Sequence, residues 1–461
     1  MGECRELSYG FPMQSLRRDW LHRPTHRLVW MLAAPMIASN LTVPLVSLVD
    51  SIVAGHLPHA QQLGAVAVGS AVYTLPVWIC GFLRMGTIGF AAQAAGRADG
   101  DMLRRILLQA LLLAMGLAFV TLLLALPMLP VVLNLMKPSA GLENLAVAYL
   151  HIRLLGLPAA LINYALIGWF LGMQNARMAL HVTVVTNLVN IALNLLFVLA
   201  LHRGVAGIAL ASVIGEWTGA LVGLLSVPGQ LRDYPGKLHA AAMRRWASWQ
   251  PLLAVNRDIL IRSLVLQAVF FTLTVLGTRL GDSTVAANAL LLNGLLVTSF
   301  ALDGLANAVE ALTGHALGRG DGVALRRELV VAGGWSLIGG VLFAILFGLF
   351  GRFFIDIQTD IARVRDIAYP YLPYLAALPL IAVWSYLLDG LFVGASRARE
   401  MRNTMLLAGI VFALLAAGLH PWGNDGLWLA FLGFMLMRAG AMAWTALGLA
   451  RRHAWMPPAT D

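Results

Sequence analysis

Cysteine and charge are the two scarcities of this 461-residue chain, which has two cysteines in all and charged residues at only 12%. Cys4 and Cys80 are too few for a disulfide framework, and no Cys/His spacing of the kind that holds zinc occurs. A G-x-S-x-G elbow, an H-E-x-x-H pair and a Walker A loop are also missing. Catalytic residues, a metal site and ATP hydrolysis are therefore not expected, and neither is a cofactor. Polar stretches are scarce as well: only the N-terminal segment 1–28 and the segment from Pro228 to Gln250 read as extended polar chain.

What fills the rest is apolar. Hydrophobic residues make up 59% of the chain and the mean hydropathy is +0.79, more apolar surface than a soluble core of this length can hide. Helical windows of about 20 residues, enough to cross roughly 30 Å of hydrocarbon, fall at 29–57, 64–83, 106–133, 145–172, 178–201 and 205–227. A second set falls at 252–279, 286–312, 328–350, 367–394, 403–419 and 426–450. The expected fold class is an all-α membrane protein with twelve transmembrane helices. Its first apolar stretch is too long for a cleavable signal and is expected to remain as the first span.

The chain also repeats itself. Gly96-Arg97-Ala98-Asp99-Gly100, then Leu103-Arg104-Arg105, returns as Gly318-Arg319-Gly320-Asp321-Gly322, then Leu325-Arg326-Arg327, a shift of +222 in the numbering. The same shift pairs Gly55 with Gly277, Tyr149 with Tyr371, Gly172 with Gly394 and Arg177 with Arg399. Six spans per copy make both copies enter the membrane from the same side, so the repeats are parallel, a plan common in transporters. The expected organisation is a segment 1–28, an N-lobe 29–228, a linker 229–250, a C-lobe 251–452 and a tail 453–461. The linker, with Arg244-Arg245-Trp246, has the character of an interfacial segment.

Of 32 Lys and Arg residues, 21 fall in the N-terminal segment, the even-numbered loops and the tail, and six (Lys137, Arg203, Arg279, Arg352, Arg363, Arg365) in the opposite loops. Positive charge stays on the cytoplasmic side, so both termini are expected inside. The net charge of +10 is scattered over short loops with no basic domain, and nucleic acid is not an expected partner.

Chemistry should reside in polar residues placed where they are costly. Asp50 sits about 10 Å inside the end of the first span, counting about 1.5 Å per residue. On the fifth span Thr183, Asn187, Asn190 and Asn194 follow one another at four, three and four residues, which stacks them on one helical face. Ser212 on the sixth span joins the same polar set. Asn and Thr on a transmembrane face also serve as interhelical hydrogen-bond partners, so both roles stand open for these residues. Pro35 and Pro44 make the first span a kinked helix or a hinged one. Scaffold residues should recur at +222, whereas Asp50 maps onto Thr272, Asn187 onto Gly409, Asn190 onto Phe412 and Asn194 onto Ala416. The C-lobe carries its own acids, Asp303, Glu310 and Asp389. Asp303 and Glu310 read as structural partners of Arg84 or Arg262, and Asp258 as a partner of Arg257 or Arg262.

Together, Leu48-Val49-Asp50-Ser51-Ile52-Val53-Ala54-Gly55-His56-Leu57, Gly81-Phe82-Leu83-Arg84-Met85-Gly86-Thr87, Ala92-Gln93-Ala94, Ala301-Leu302-Asp303-Gly304 with Glu310-Ala311, and Leu388-Asp389-Gly390-Leu391-Phe392-Val393-Gly394-Ala395 resemble the DinF branch of the multidrug and toxic compound extrusion (MATE) family. The resemblance implies two six-helix lobes around a central cleft and secondary antiport of organic, often cationic or amphiphilic compounds. The driving gradient would be of protons or sodium. It further implies that Asp50, Pro35 as the bending point of the first span, and Asn190 belong to a cation-coupling site. Asn194 is the further candidate for that coupling site, and Asn187, Thr183, Ser212 and Asp389 are the candidates for the substrate cleft. Relatives with the fullest site have a second carboxylate where this chain has Asn194, which leaves Asp50 as the only acid of the cluster. Members with a C-lobe sodium site pair a Glu on the seventh span with an Asp on the tenth, and no Glu occurs in 252–279 to pair with Asp389. A proton is accordingly the expected coupling ion. Sodium-coupled antiport and a lipid-linked precursor flippase are the alternatives. The expected setting is a bacterial inner membrane, with the chain monomeric.

Reporter fusions at Arg97, Lys237, Arg319 and Arg451 should all read cytoplasmic, and fusions at Lys137 or Arg203 periplasmic. Opposite readings at Arg97 and Arg319 would break the parallel repeat.

Overall fold

In the computed structural model of the chain, the repeated Gly-Arg-x-Asp-Gly segments turn out to be helix stops followed directly by helix starts. The structure describes residues 13–55, 57, 59–136, 139–452 and 454–455. Cys4, Arg5, His56, Lys137 and most of the tail lie outside them. Among the described residues every regular element is helical. Helix α1 (Met13–Trp20) precedes α2 (Arg23–Gly55), α3 (Ala60–Ile79), α4 (Phe82–Gly96), α5 (Gly100–Met136), α6 (Ala140–Leu154), α7 (Leu157–Gly172), α8 (Ala176–Asn194) and α9 (Gly204–Gln230). The short α10 (Ala240–Arg244) leads to α11 (Gln250–Arg279), α12 (Asp282–Arg319), α13 (Gly322–Gln358), α14 (Ala362–Ala368), α15 (Leu372–Gly394), α16 (Ala398–Gly418) and α17 (Gly423–Arg451).

Eleven helical stretches among the described residues are long and apolar enough to cross a membrane. A twelfth forms from α6 and α7 taken together, bent by 44°. The expected span 145–172 is therefore broken rather than continuous. Its cause is Pro158 in the first turn of α7, which has no N–H to continue the helical ladder, with Gly156 just before.

Repeat and structure agree in detail. Helices α5 and α13 are equally long, at 37 residues each. The shift that relates the two copies carries Gly100 and Met136, the ends of α5, onto Gly322 and Gln358, the ends of α13. Residues Ala98 and Gly320, and likewise Gln174 and Ser396, take up left-handed backbone (φ 54°, 68°, 59° and 56°) at the ends of α4, α12, α7 and α15. At each of the four ends the next amide bonds a carbonyl five residues back, at 2.8–2.9 Å, the bond of a Schellman stop. Asp99 and Asp321 then cap the following helices, each Oδ1 accepting from a backbone amide three residues on at 2.9 Å.

The same period governs close packing. A Cβ on Gly168 would lie 2.5 Å from the Arg84 carbonyl oxygen, and one on Gly390 would lie 2.7 Å from that of Ala306. One turn on, a Cβ on Gly172 or Gly394 would meet the carbonyls of Ile88 or Glu310 at 2.8 and 2.4 Å. Two small-xxx-small pairs thus let α7 lie against α4, and α15 against α12, backbone to backbone.

By contacts the chain divides into two compact units, one of Ala34–Ser263 and one of Leu264 onward with the residues up to Ala33. The six-and-six reading would have put both boundaries elsewhere, at the start of the first span and in the linker. The residues up to Ala33 belong with the second unit because Asp19 pairs with Arg326 at 2.9 Å and Arg327 at 3.6 Å, and because Trp335 Nε1 donates to His26 Nδ1 at 2.9 Å. The start of α11 belongs with the first because Asn256 packs on Gly86 and Gln109 donates to the Ser248 carbonyl at 3.0 Å. The linker is likewise docked there: Arg104 donates to the Tyr234 carbonyl at 2.8 Å, and the Lys237 amide donates to Asp101 Oδ1 at 2.6 Å.

Gly168→Ala and Gly390→Ala should each lower the thermal midpoint of the purified protein, at a cost of about 1–3 kcal/mol, because the obstructing atom is backbone and cannot rotate away. Gly448→Ala, with nothing within 4 Å of the added carbon, should leave it unchanged.

Candidate functional site

Five helices of the Ala34–Ser263 unit enclose a cavity of about 300 Å³. Val46, Asp50, Ser51 and Ala54 reach it from α2, Ser70, Tyr73 and Thr74 from α3, and Tyr149 and Arg153 from α6. Thr186, Asn187 and Asn190 come from α8, and Ser212 and Glu216 from α9. Such a mixture of carboxylates, amides and hydroxyls inside an apolar chain is the kind of polar investment that marks an ion or substrate path.

One wall is a directed hydrogen-bond chain. The Asn194 amide donates one proton to Asp50 Oδ1 and the other to Asn190 Oδ1, at 3.2 Å for the second bond. Asn190 donates in turn to Ser212 Oγ at 2.8 Å, and Ser212 to the Ile208 carbonyl at 3.2 Å. Each donor is committed, so Asp50 Oδ1 is held as an acceptor. Asn194 is fully buried and stands behind the cavity wall. At Asn194 the α-helix gives way to a π-helical stretch, Leu195–Ala200, a departure that recurs at functional positions. Asn187 donates to Thr42 Oγ1 at 2.7 Å.

The second wall is ionic. Arg153 Nη1 lies 3.0 Å from Glu216 Oε1, with the two side chains only 11% and 15% exposed. Tyr73 Oη lies 3.3 Å from both Glu216 oxygens, and the guanidinium carbon sits 3.8 Å above the centre of the Tyr73 ring. Tyr149 and Ser70 share a hydroxyl bond of 2.9 Å beside them. The break between α6 and α7 makes this arrangement possible: a Cβ on Gly156 would fall 2.0 Å from Glu216 Oε2. Trp217 Nε1 donates to the Leu155 carbonyl at 3.0 Å, satisfying a backbone group that the break releases.

The structure therefore brings together Asp50, Asn187, Asn190, Asn194 and Ser212. Thr183 is not among the lining residues, and its hydroxyl donates to the Ala179 carbonyl of its own helix at 3.1 Å. Asp389 belongs to the other unit, where it forms a buried ion pair with Arg438 of α17. Asp258 pairs with Arg257 at 3.0 Å. Asp50 is not the only acid of the cluster, since Glu216 lines the same cavity. Glu216 escaped the reading because it stands alone in an otherwise apolar window. A signal was present: at +222 Glu216 maps onto Arg438 and Arg153 onto Leu375, so neither repeats as scaffold.

A family model described as MatE matches the chain twice, over residues 35–196 and 259–421, one match in each copy of the repeat. The chain belongs to the MatE family. It is 43% identical to DNA damage-inducible protein F of Escherichia coli (strain K12), over 93% of this chain and 92% of that one. Similarity to a probable multidrug resistance protein NorM of Rhizobium meliloti (strain 1021) extends over 95% and 96% of the two chains at 26% identity. The crystal structure of a MATE protein in its bent conformation superposes with a TM-score of 0.85, over 96% of this chain and 98% of that one, at 18% identity. As a MatE protein, the chain is a multidrug and toxic compound extrusion transporter and not an enzyme.

Arg438→Met should destabilise the protein by about 3–5 kcal/mol by leaving the Asp389 carboxylate buried without its counter-charge. Arg438→Met combined with Asp389→Asn should recover most of the loss, read as thermal midpoints of the purified variants. Equal loss in both would mean that packing, and not charge, holds this pair.

Proposed function

We propose that this MatE protein exports organic, often cationic or amphiphilic, compounds across a bacterial inner membrane in exchange for protons, with both termini cytoplasmic and the chain acting as a monomer. The observation that carries this reading is the position of Asp50. It lies on the cavity wall with only neutral donors in its hydrogen-bond chain, while Glu216 is engaged by Arg153 and Tyr73. Asp50 is then the carboxylate whose charge an incoming proton or organic cation balances. A proton arriving from the outer side removes the charge that held the substrate, and the substrate leaves; return to the inner side releases the proton. Asn194 keeps Asp50 in one orientation through the cycle, and Asn190 and Ser212 anchor Asn194.

Pro35 is the proposed hinge of α2. In support, the boundary between the two compact units falls at Ala33/Ala34, next to this proline. The lobes proposed to move about it are the repeats 29–228 and 251–452, joined by the linker 229–250. A pyrophosphate-lipid flippase would need a cationic cavity, whereas two carboxylates and one guanidinium line this one.

In sodium-free vesicles an imposed pH gradient should drive efflux of a fluorescent amphiphilic cation. Asp50→Asn should abolish it while leaving folding intact, Asn194→Ala should impair it less, and Thr272→Ala should be nearly silent. Efflux that survives collapse of the pH gradient and stops on withdrawal of sodium would overturn proton coupling.

A further inference from the structure

We infer that Arg153 is the resident cation of the Ala34–Ser263 cavity, a tethered positive charge that takes the place a metal ion would fill and so sets the site's selectivity against sodium. The inference rests on the reading of Asp50 as the coupling group and concerns what surrounds it. Two carboxylates with several neutral side-chain oxygens form the kind of set that hard cations seek. One of the two is already spent. Glu216 receives the Arg153 guanidinium at 3.0 Å and has the Tyr73 hydroxyl 3.3 Å from both of its oxygens, so its charge is already compensated before any metal ion arrives.

A guanidinium stays charged at any pH the protein meets, so this counter-charge does not titrate away. The Tyr73 face against the guanidinium, 3.8 Å from ring centre to Cζ, fixes it further. With Arg153 and Glu216 cancelling, a single negative charge remains at the cavity, that of Asp50. Sodium would have to shed its hydration shell for one carboxylate while facing a fixed positive charge in the same 300 Å³. A proton needs only one oxygen. The pair is also peculiar to this unit, because its +222 equivalents are Leu375 and Arg438.

The test uses the purified full-length protein, comparing sodium chloride with equal potassium chloride by thermal midpoint and by binding of radioactive sodium. Wild type should show no sodium-specific shift and no sodium binding that depends on Asp50. Arg153→Met, which leaves Glu216 uncompensated, should acquire both responses. Arg153→Met with Glu216→Gln should lose them again, and Arg153→Lys should behave as wild type. If Arg153→Met survives purification only in sodium, that requirement is the expected response. Should it be lost in either salt, the double variant decides, since sodium binding there would overturn the inference. Asp50-dependent sodium binding by wild type, or no gain in a folded Arg153→Met protein, would also overturn it. These measurements involve no transport, so they can fail while proton-driven efflux stands, and the reverse.

Discussion

A charge placed inside hydrocarbon has no water to turn to, so it must find its counter-charge and its hydrogen bonds within the protein. That constraint organises both units of this chain. In one, Arg153 and Glu216 satisfy each other with help from Tyr73; in the other, Asp389 and Arg438 do. Asp50 is held differently, by the Asn194 amide with Asn190 and Ser212 behind it. A compensated pair resists change because removing either partner strands the other. A carboxylate held by neutral donors can lose its charge to a proton and keep its place.

The scaffold was largely legible because hydrophobic runs and helix caps are local signals. Gly96 to Gly100 and its copy at 318–322 carry a Schellman stop and an Asp cap within a few residues, and the structure puts a left-handed residue and a capping bond at both. The positions of α5 and α13 follow from them. Less legible were features that depend on the partner rather than the segment. Gly156 and Pro158 were in plain view, yet their bend acquires meaning only when Glu216 of α9 occupies the space it opens. The edge of the contact-defined units is hard to read from sequence for a similar reason: the described residues up to Ala33 run on into α2 but are tied to α13 by Asp19 and His26.

The polar cluster lay between these cases. Four residues of one face on α8 could be aligned by helical period, and Asn190 and Asn194 do meet Ser212 and Asp50. Period alone could not tell that Thr183 bonds its own helix, because a threonine hydroxyl can always turn back to the carbonyl one turn earlier. Nor could a window average reveal Glu216, whose single charge is diluted by its apolar neighbours. Comparison of the two copies is a sharper instrument than either, since it asks of each polar residue whether the other half needs it.

Asked of position 216, that comparison returns an acid in one copy and a base, Arg438, in the other. No single repeat sequence can supply both, so two identical halves would carry the same sign twice at that place, and only one of the two present pairs could survive. Fusion into one chain removes that symmetry requirement. It lets a duplicated unit diverge at one buried site into opposite charges, each with its own counter-ion, while the glycine contacts and helix caps around it stay under common constraint.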